Sequence, residues 1–129
     1  MVRLVTETTS AADGKATITL LGPALIRLTY LPRTEVQESD ARDVLEQSLI
    51  LVDHVPYAIL VDMRQIMILS AGAREIYGSE DMVLAAAMLG QTPMDRVIAA
   101  SLQQSVHTVE FFTDEQEALT WLTEHLPDA

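Results

Sequence analysis

Three arginines and one aspartate are the side chains whose spacing is compatible with ligand chemistry. Asp62 and Arg64 follow the apolar run Tyr57-Ala58-Ile59-Leu60-Val61, which is typical of a strand buried on both faces. Arg74 and Arg96 each lie about one turn into a segment with helical signals. In a chain with only 8 basic residues, three arginines near one edge would be suited to binding an anion.

Two predicted helix starts would position these arginines. Ser70 opens one helix as its N-cap, and Thr92-Pro93 opens the next. Both helices follow strands that we predict to be parallel, so their N-termini are expected at one edge of the sheet. The candidate ligand-binding residues are Asp62, Arg64, Ser70, Arg74 and Arg96. The alternative is a structural cluster in which carboxylates neutralise the arginines, and those carboxylates are Asp62, Glu75, Asp81 and Asp95.

Other reactive arrangements are missing from the sequence. It has no phosphate-binding glycine motif, no HExxH and no GxSxG. Its three histidines, His54, His107 and His125, lie in separate segments, and it has no cysteine. The adjacent acids Glu80-Asp81 cannot both project into one cleft as an acid–base pair. We therefore expect no catalytic residues, no metal, no cofactor and no enzymatic activity.

Composition indicates an acidic, folded domain. The 129 residues include 19 acids against 8 bases, for a net charge of −11, and 49% are apolar. Such a charge disfavours nucleic acid and anionic membranes as partners. No Lys or Arg follows Arg96, which favours a solvated acidic surface over a recruiting surface for a basic partner. We expect one domain over residues 1–129, located in the cytoplasm because MVRLVTETTS lacks a secretory signal.

The hydrophobic pattern predicts an α/β fold with a mixed open sheet. Three strands come first, at Val2 to Thr9, Lys15 to Leu21 and Leu25 to Leu31, joined by turns at Asp13-Gly14 and Gly22-Pro23. These strands form an antiparallel meander. Helices and strands then alternate as αβαβαβα, which indicates parallel pairing. The helices are predicted to start at capping boxes, Thr34-x-x-Gln37 and Thr113-x-x-Gln116, and at Ser70 and Thr92. The strands lie at Tyr57 to Met63, Val83 to Leu89 and Thr108 to Phe112.

This order, with three motifs, resembles the SpoIIAA-like superfold of STAS domains, and most of all small bacterial STAS-like proteins of uncharacterised function. The motifs are LVDMRQI at Leu60 to Ile66, SAGAREIYG at Ser70 to Gly78, and EFFTDEQEALTWL at Glu110 to Leu122. The resemblance implies a non-catalytic domain. In antagonist STAS domains a serine in this helix start is phosphorylated, but here that position is Gly72. Phosphorylation at that serine therefore does not carry over.

Two functions remain open from the sequence. The first is a STAS-like regulatory or scaffold module that contacts an unidentified protein and forms a homodimer. The second is a small-ligand domain that binds an anion or a lipid at the arginine edge or in an apolar pocket. The candidate dimer surfaces are Trp121, which lies on the last helix at the margin of the core, and the outer strand of the meander.

Overall fold

The computed structural model describes residues 7–102 and 105–126. The strands are β1 (Thr8–Ala11), β2 (Ala16–Gly22), β3 (Leu25–Tyr30), β4 (Thr34–Val36), β5 (Tyr57–Asp62), β6 (Ile66–Leu69), β7 (Val83–Leu89) and β8 (Thr108–Phe112). The helices are α1 (Glu38–Leu51), α2 (Ala71–Gly78), α3 (Pro93–Ala100) and α4 (Glu115–Glu124). Six strands form one sheet in the order β1-β2-β3-β5-β7-β8, and β4 pairs with β6 separately.

The antiparallel meander predicted at the start of the chain is present. Ala11 pairs with Ala16 across a tight turn, in which Asp13 and Gly14 have positive φ angles of 55° and 87°. Such angles favour an Asp-Gly pair, which is why this turn was recognisable. The first strand was predicted over Val2 to Thr9, but residues 1–6 lie outside the described part and β1 extends to Ala11.

The second half of the sheet is parallel. Strand β3 pairs with β5, β5 with β7, and β7 with β8, all in parallel register. Strand β7 has the sequence VLAAAML, which contains strong helix formers, yet it lies in the middle of the sheet. Ala85 and Ala87 are fully buried beneath α4, against Ala118 and Leu122. Small side chains let α4 pack closely on β7, and tertiary packing therefore outweighs helix propensity here.

Helices cover the two faces of the sheet unequally. Helices α1, α2 and α3 pack on one face, where their apolar residues join Ile18, Ile26 and Leu28 in the larger core. Helix α4 packs on the opposite face over β5 and β7. On its inward face, α1 buries Ala41, Val44 and Leu45.

Three local predictions were wrong. Helix α1 begins at Glu38 with Gln37 as its N-cap, because residues 34–36 pair with β6 and cannot begin a helix. The Thr34 hydroxyl instead donates to the carbonyl of Leu31. Helix α4 is capped by Asp114, whose carboxylate accepts from the Glu117 amide at 3.0 Å, and Thr113 lies one residue too early. The segment 66–69, where no strand was predicted, is strand β6.

Candidate functional site

Asp62 ends β5 and is almost completely buried. Its carboxylate accepts hydrogen bonds from Arg64 Nε at 2.8 Å, Arg64 Nη2 at 2.7 Å and the Arg64 amide at 3.2 Å. Burial raises the pKa of Asp62, but the hydrogen bonds and charge of Arg64 outweigh burial, so this pKa lies below its usual value. The predicted proximity of Asp62 and Arg64 is thus a direct ion pair.

Arg27 is a member of this cluster that the sequence did not suggest. Its Nη2 donates to Asp62 at 3.1 Å and to Glu115 at 2.8 Å, and its Nε donates to Glu115 at 3.2 Å. Arg27 therefore connects β3, β5 and the first turn of α4. The one sequence signal was a charged residue among the apolar residues of β3. Once β3 and β5 are aligned in parallel, Arg27 lies opposite Leu60, on the face that also carries Asp62.

These four residues, Arg27, Asp62, Arg64 and Glu115, form what we call the carboxyl-edge network. The Arg27 hydrogen bonds also lower the pKa of Glu115, so both carboxylates stay ionised near neutral pH. An ionised carboxylate whose lone pairs accept from arginines is a poor proton acceptor. The arrangement is suited to holding α4 on the sheet rather than to acid–base chemistry.

Ser70 is the N-cap of α2, as predicted. Its Oγ accepts from the Ala73 amide at 3.1 Å, and its own amide donates to Val36 of β4 at 3.0 Å. Arg74, in the same helix, directs its Nη1 to the carbonyl of Leu69 at 2.9 Å. Ser70 therefore has a structural role at the start of α2, and Arg74 contacts backbone rather than a carboxylate.

Gly72, aligned with the phosphorylated serine of antagonist STAS domains, lies against α1. A Cβ added at Gly72 would lie 2.6 Å from Glu38 Oε1 and 3.0 Å from Glu38 Cβ. A serine at this position would therefore require α1 and α2 to separate, because its Cβ would press on Glu38 Cβ. This geometry agrees with the prediction that the phosphorylation switch does not carry over.

Arg96 lies on α3 with its guanidinium carbon 4.5 Å from the centroid of the Phe111 ring, a cation–π contact. The adjacent Asp95 points back to cap its own helix, where it accepts from the amides of Gln91 at 2.7 Å and Thr92 at 3.1 Å. The Thr92-Pro93 helix start is thus confirmed, and Asp95 is occupied by the cap.

The three predicted arginines therefore have three different partners. Arg64 binds Asp62, Arg74 binds a backbone carbonyl, and Arg96 covers an aromatic ring. Within residues 7–102 and 105–126, neither Glu75 nor Asp81 forms an ion pair with any of them. Of the three, only Arg64 fits the alternative in which carboxylates neutralise the arginines. The ligand-binding role of the five candidate residues stays a prediction.

A small cavity lies between α2 and α3, on the face of the sheet opposite α4. Its volume is about 40 Å³, and its lining is mostly apolar: the floor is sheet residues such as Ile59 and Ala86, and the walls include Leu69 and Ile98. An apolar pocket was one ligand site suggested from the sequence. Its place in the fold was not predictable, because its lining residues are spread from Leu28 to Val109.

Two polar features adjoin this cavity. In its wall, the hydroxyls of Tyr30 and Tyr77 hydrogen bond to each other, and burial raises the pKa of both, so they stay protonated. At its surface side, the cavity shares Leu102 and Ser105 with an open groove of about 370 Å³ that Arg74 also lines. We call this the α2–α3 groove.

Within the described residues, neither a metal-binding cluster nor a membrane-spanning helix is found. No group of three or more His, Asp or Glu side chains is placed to hold a metal ion in residues 7–102 and 105–126. Over the same residues, no helix has the length and apolar character needed to cross a membrane.

Comparison with known proteins identifies the family and the fold. A crystal structure of an uncharacterised protein of the DUF3478 family from Shewanella loihica PV-4, which has a SpoIIAA-like fold, is similar with a TM-score of 0.59. The two chains are 16% identical, and the match covers 95% of this chain and 98% of the other. At that identity the likeness shows the fold alone, and it confirms the predicted one. No curated protein matches this chain. The model of a domain of unknown function, DUF7793, matches residues 22–126, and this SpoIIAA-like chain therefore belongs to the DUF7793 family.

Proposed function

We propose that this protein is a non-catalytic STAS-like module that regulates or scaffolds another protein through direct contacts. The observation that carries the proposal is the closed carboxyl-edge network. Asp62 accepts from two arginines, and Arg27 also binds Glu115. The carboxyl ends of the parallel strands, where ligands usually bind in open α/β sheets, are thereby occupied by internal ion pairs. In this proposal residues 1–129 act as one domain in the cytoplasm.

An exposed apolar surface on α3 supports a role in protein contacts. Met94 and Val97 are 62% and 63% exposed, and they are neighbours because they lie three residues apart on one helix. Adjacent exposed apolar side chains of this size are typical of interaction surfaces when they are grouped. Homodimerisation is a further part of the proposal. Trp121, which is partly buried against the ring of Phe112 at 5.4 Å, keeps the marginal position predicted for it.

Affinity purification from the native cell tests the proposal. The bait proteins are the wild type, a Met94→Asp/Val97→Asp double variant, and an Ile50→Asp control. Ile50 is 55% exposed on α1, so the control places a charge on another exposed apolar position. We expect a stoichiometric partner with the wild type and the control, and its loss with the double variant. Recovery of no partner, or of the same proteins with all three baits, would contradict the proposed α3 contact.

A further inference from the structure

We propose that the cavity between α2 and α3, together with the α2–α3 groove, binds a short-chain aliphatic carboxylate. The alkyl chain enters the cavity and the carboxylate binds Arg74. This site lies apart from the carboxyl-edge network and does not depend on a protein partner.

The size of the cavity determines the length of the alkyl chain. A volume of about 40 Å³ compares with ~30 Å³ for one water molecule in the liquid, so the cavity holds one or two methyl-sized groups. Its lining is apolar, and such a cavity stays dry and favours carbon over water. A long acyl chain or an aromatic ring is too large, because a benzene-binding cavity has about 150 Å³.

Two contacts relate Arg74 to the cavity. Its Nη1 donates to the carbonyl of Leu69 at 2.9 Å, and the side chain of Leu69 lines the cavity. Arg74 also lines the groove, which shares Leu102 and Ser105 with the cavity. A guanidinium has five N–H donors, and the Leu69 carbonyl occupies one. We assign the other donors to the carboxylate of a ligand whose alkyl chain lies in the cavity beside Leu69.

The interactions of the other arginines and of the polar side chains in the groove favour an anion at Arg74. Three other arginines, Arg27, Arg42 and Arg64, each bind a carboxylate, whereas Arg74 has no carboxylate partner within the described residues. The serine hydroxyls of the groove donate to backbone carbonyls, and these serines are Ser79, Ser101 and Ser105. Glu75, which also lines the groove, is exposed to solvent and screened by it. Among the described residues, Arg74 is therefore the cation that lines the groove and has no carboxylate partner.

Methyl-selective NMR titration with butyrate tests the site. Butyrate places two carbons in the cavity beyond its carboxylate and its first methylene group. We expect saturable shifts in the methyl resonances of Ile98 and Leu102, with a Kd on the order of millimolar for so small a ligand. Butyramide has the same shape without the charge, butylammonium has the opposite charge, and acetate lacks the chain. The affinity of each of these three probes should be at least about tenfold lower than that of butyrate, because each loses either the charge-assisted hydrogen bonds or the buried chain.

Three variants test separately the cation at Arg74 and the apolar cavity. Arg74→Gln should weaken butyrate about tenfold and remove its advantage over butyramide. Arg42→Gln removes the same charge from an exposed position on α1 and should leave butyrate affinity unchanged. Ala86→Val fills the floor of the cavity, so it should abolish the shifts while the protein stays folded by circular dichroism.

The proposal is overturned if butyrate produces no saturable shift at Ile98 and Leu102. It is also overturned if butylammonium binds as tightly as butyrate, since Glu75 rather than Arg74 would then select the ligand. Equal weakening by Arg74→Gln and Arg42→Gln would show that only net charge matters, and would refute a carboxylate site at Arg74.

Discussion

Replacement of Gly72 by alanine tests how closely α1 and α2 approach each other. Alanine normally stabilises a helix relative to glycine by about 0.5–1 kcal/mol. Here the new Cβ would lie 3.0 Å from Glu38 Cβ, a contact that only a shift of one helix relieves, whereas the exposed Glu38 carboxylate, 2.6 Å away, can rotate aside. Overpacking of this kind costs about 1–3 kcal/mol, so the cost exceeds the helix gain. We expect Gly72→Ala to lower the free energy of unfolding by about 1–2 kcal/mol.

A double-mutant cycle isolates the contact. Glu38→Gly removes both the carboxylate and the Cβ that face Gly72, so Gly72→Ala should cost less than about 0.5 kcal/mol in that background. The coupling energy between the two sites would then be about 1 kcal/mol. Glu46→Gly is the matched control, because Glu46 is an exposed glutamate on α1 that does not approach Gly72. Urea unfolding of all the variants, followed by circular dichroism, supplies the free energies.

One result would refute this reasoning. If Gly72→Ala stabilises the wild-type protein, or if its effect is the same with Glu38→Gly and Glu46→Gly, then α1 and α2 are farther apart than described. A serine would then fit at Gly72, and the steric argument against phosphorylation there would fail.

Three further predictions concern the helix cap, the ion pairs and the oligomeric state. Ser70→Ala should cost about 1 kcal/mol of stability by loss of the cap, and a change near zero in urea unfolding would mean that Ser70 does not cap α2. Because the folded-state pKa of Asp62 is lowered, its stabilisation is present above its unfolded pKa of about 3.9 and is lost as pH falls below that value. The stability difference between the wild type and Asp62→Asn should therefore be constant from pH 7 to about 5 and shrink below about pH 4, and a difference that shrinks near pH 6 would contradict it. Sedimentation equilibrium at micromolar concentration should give a dimer, and a single species of 14.2 kDa would end that hypothesis.

The helix caps show what could be predicted from local sequence. Ser70 and Thr92 each accept from the amide three residues later, and both were identified from the sequence. The two wrong capping boxes show the limit of the same reasoning. Thr34 and Thr113 have suitable spacing, but Thr34 belongs to a strand, and Asp114 lies one residue nearer the start of α4. A spacing rule does not distinguish between neighbouring candidates that compete for one cap.

Strand β6 and Arg27 were missed for a nonlocal reason. Strand β6 has only four residues, and its partner β4 lies some thirty residues earlier in the chain. Arg27 lies 35 residues from Asp62 and 88 residues from Glu115. Neither separation leaves a periodic pattern in the sequence, because hydrogen bonds between distant residues depend on how the strands align.

The sequence by itself determined the order of the major elements, the α/β class and the two correct caps, because periodicity and cap hydrogen bonds involve residues within a few positions of each other. Only the tertiary structure decided which charges pair, how close Gly72 lies to Glu38, and where the cavity between α2 and α3 lies. Those features depend on the register of parallel strands and on helix packing. Both are set by the whole core at once, and no short segment encodes them.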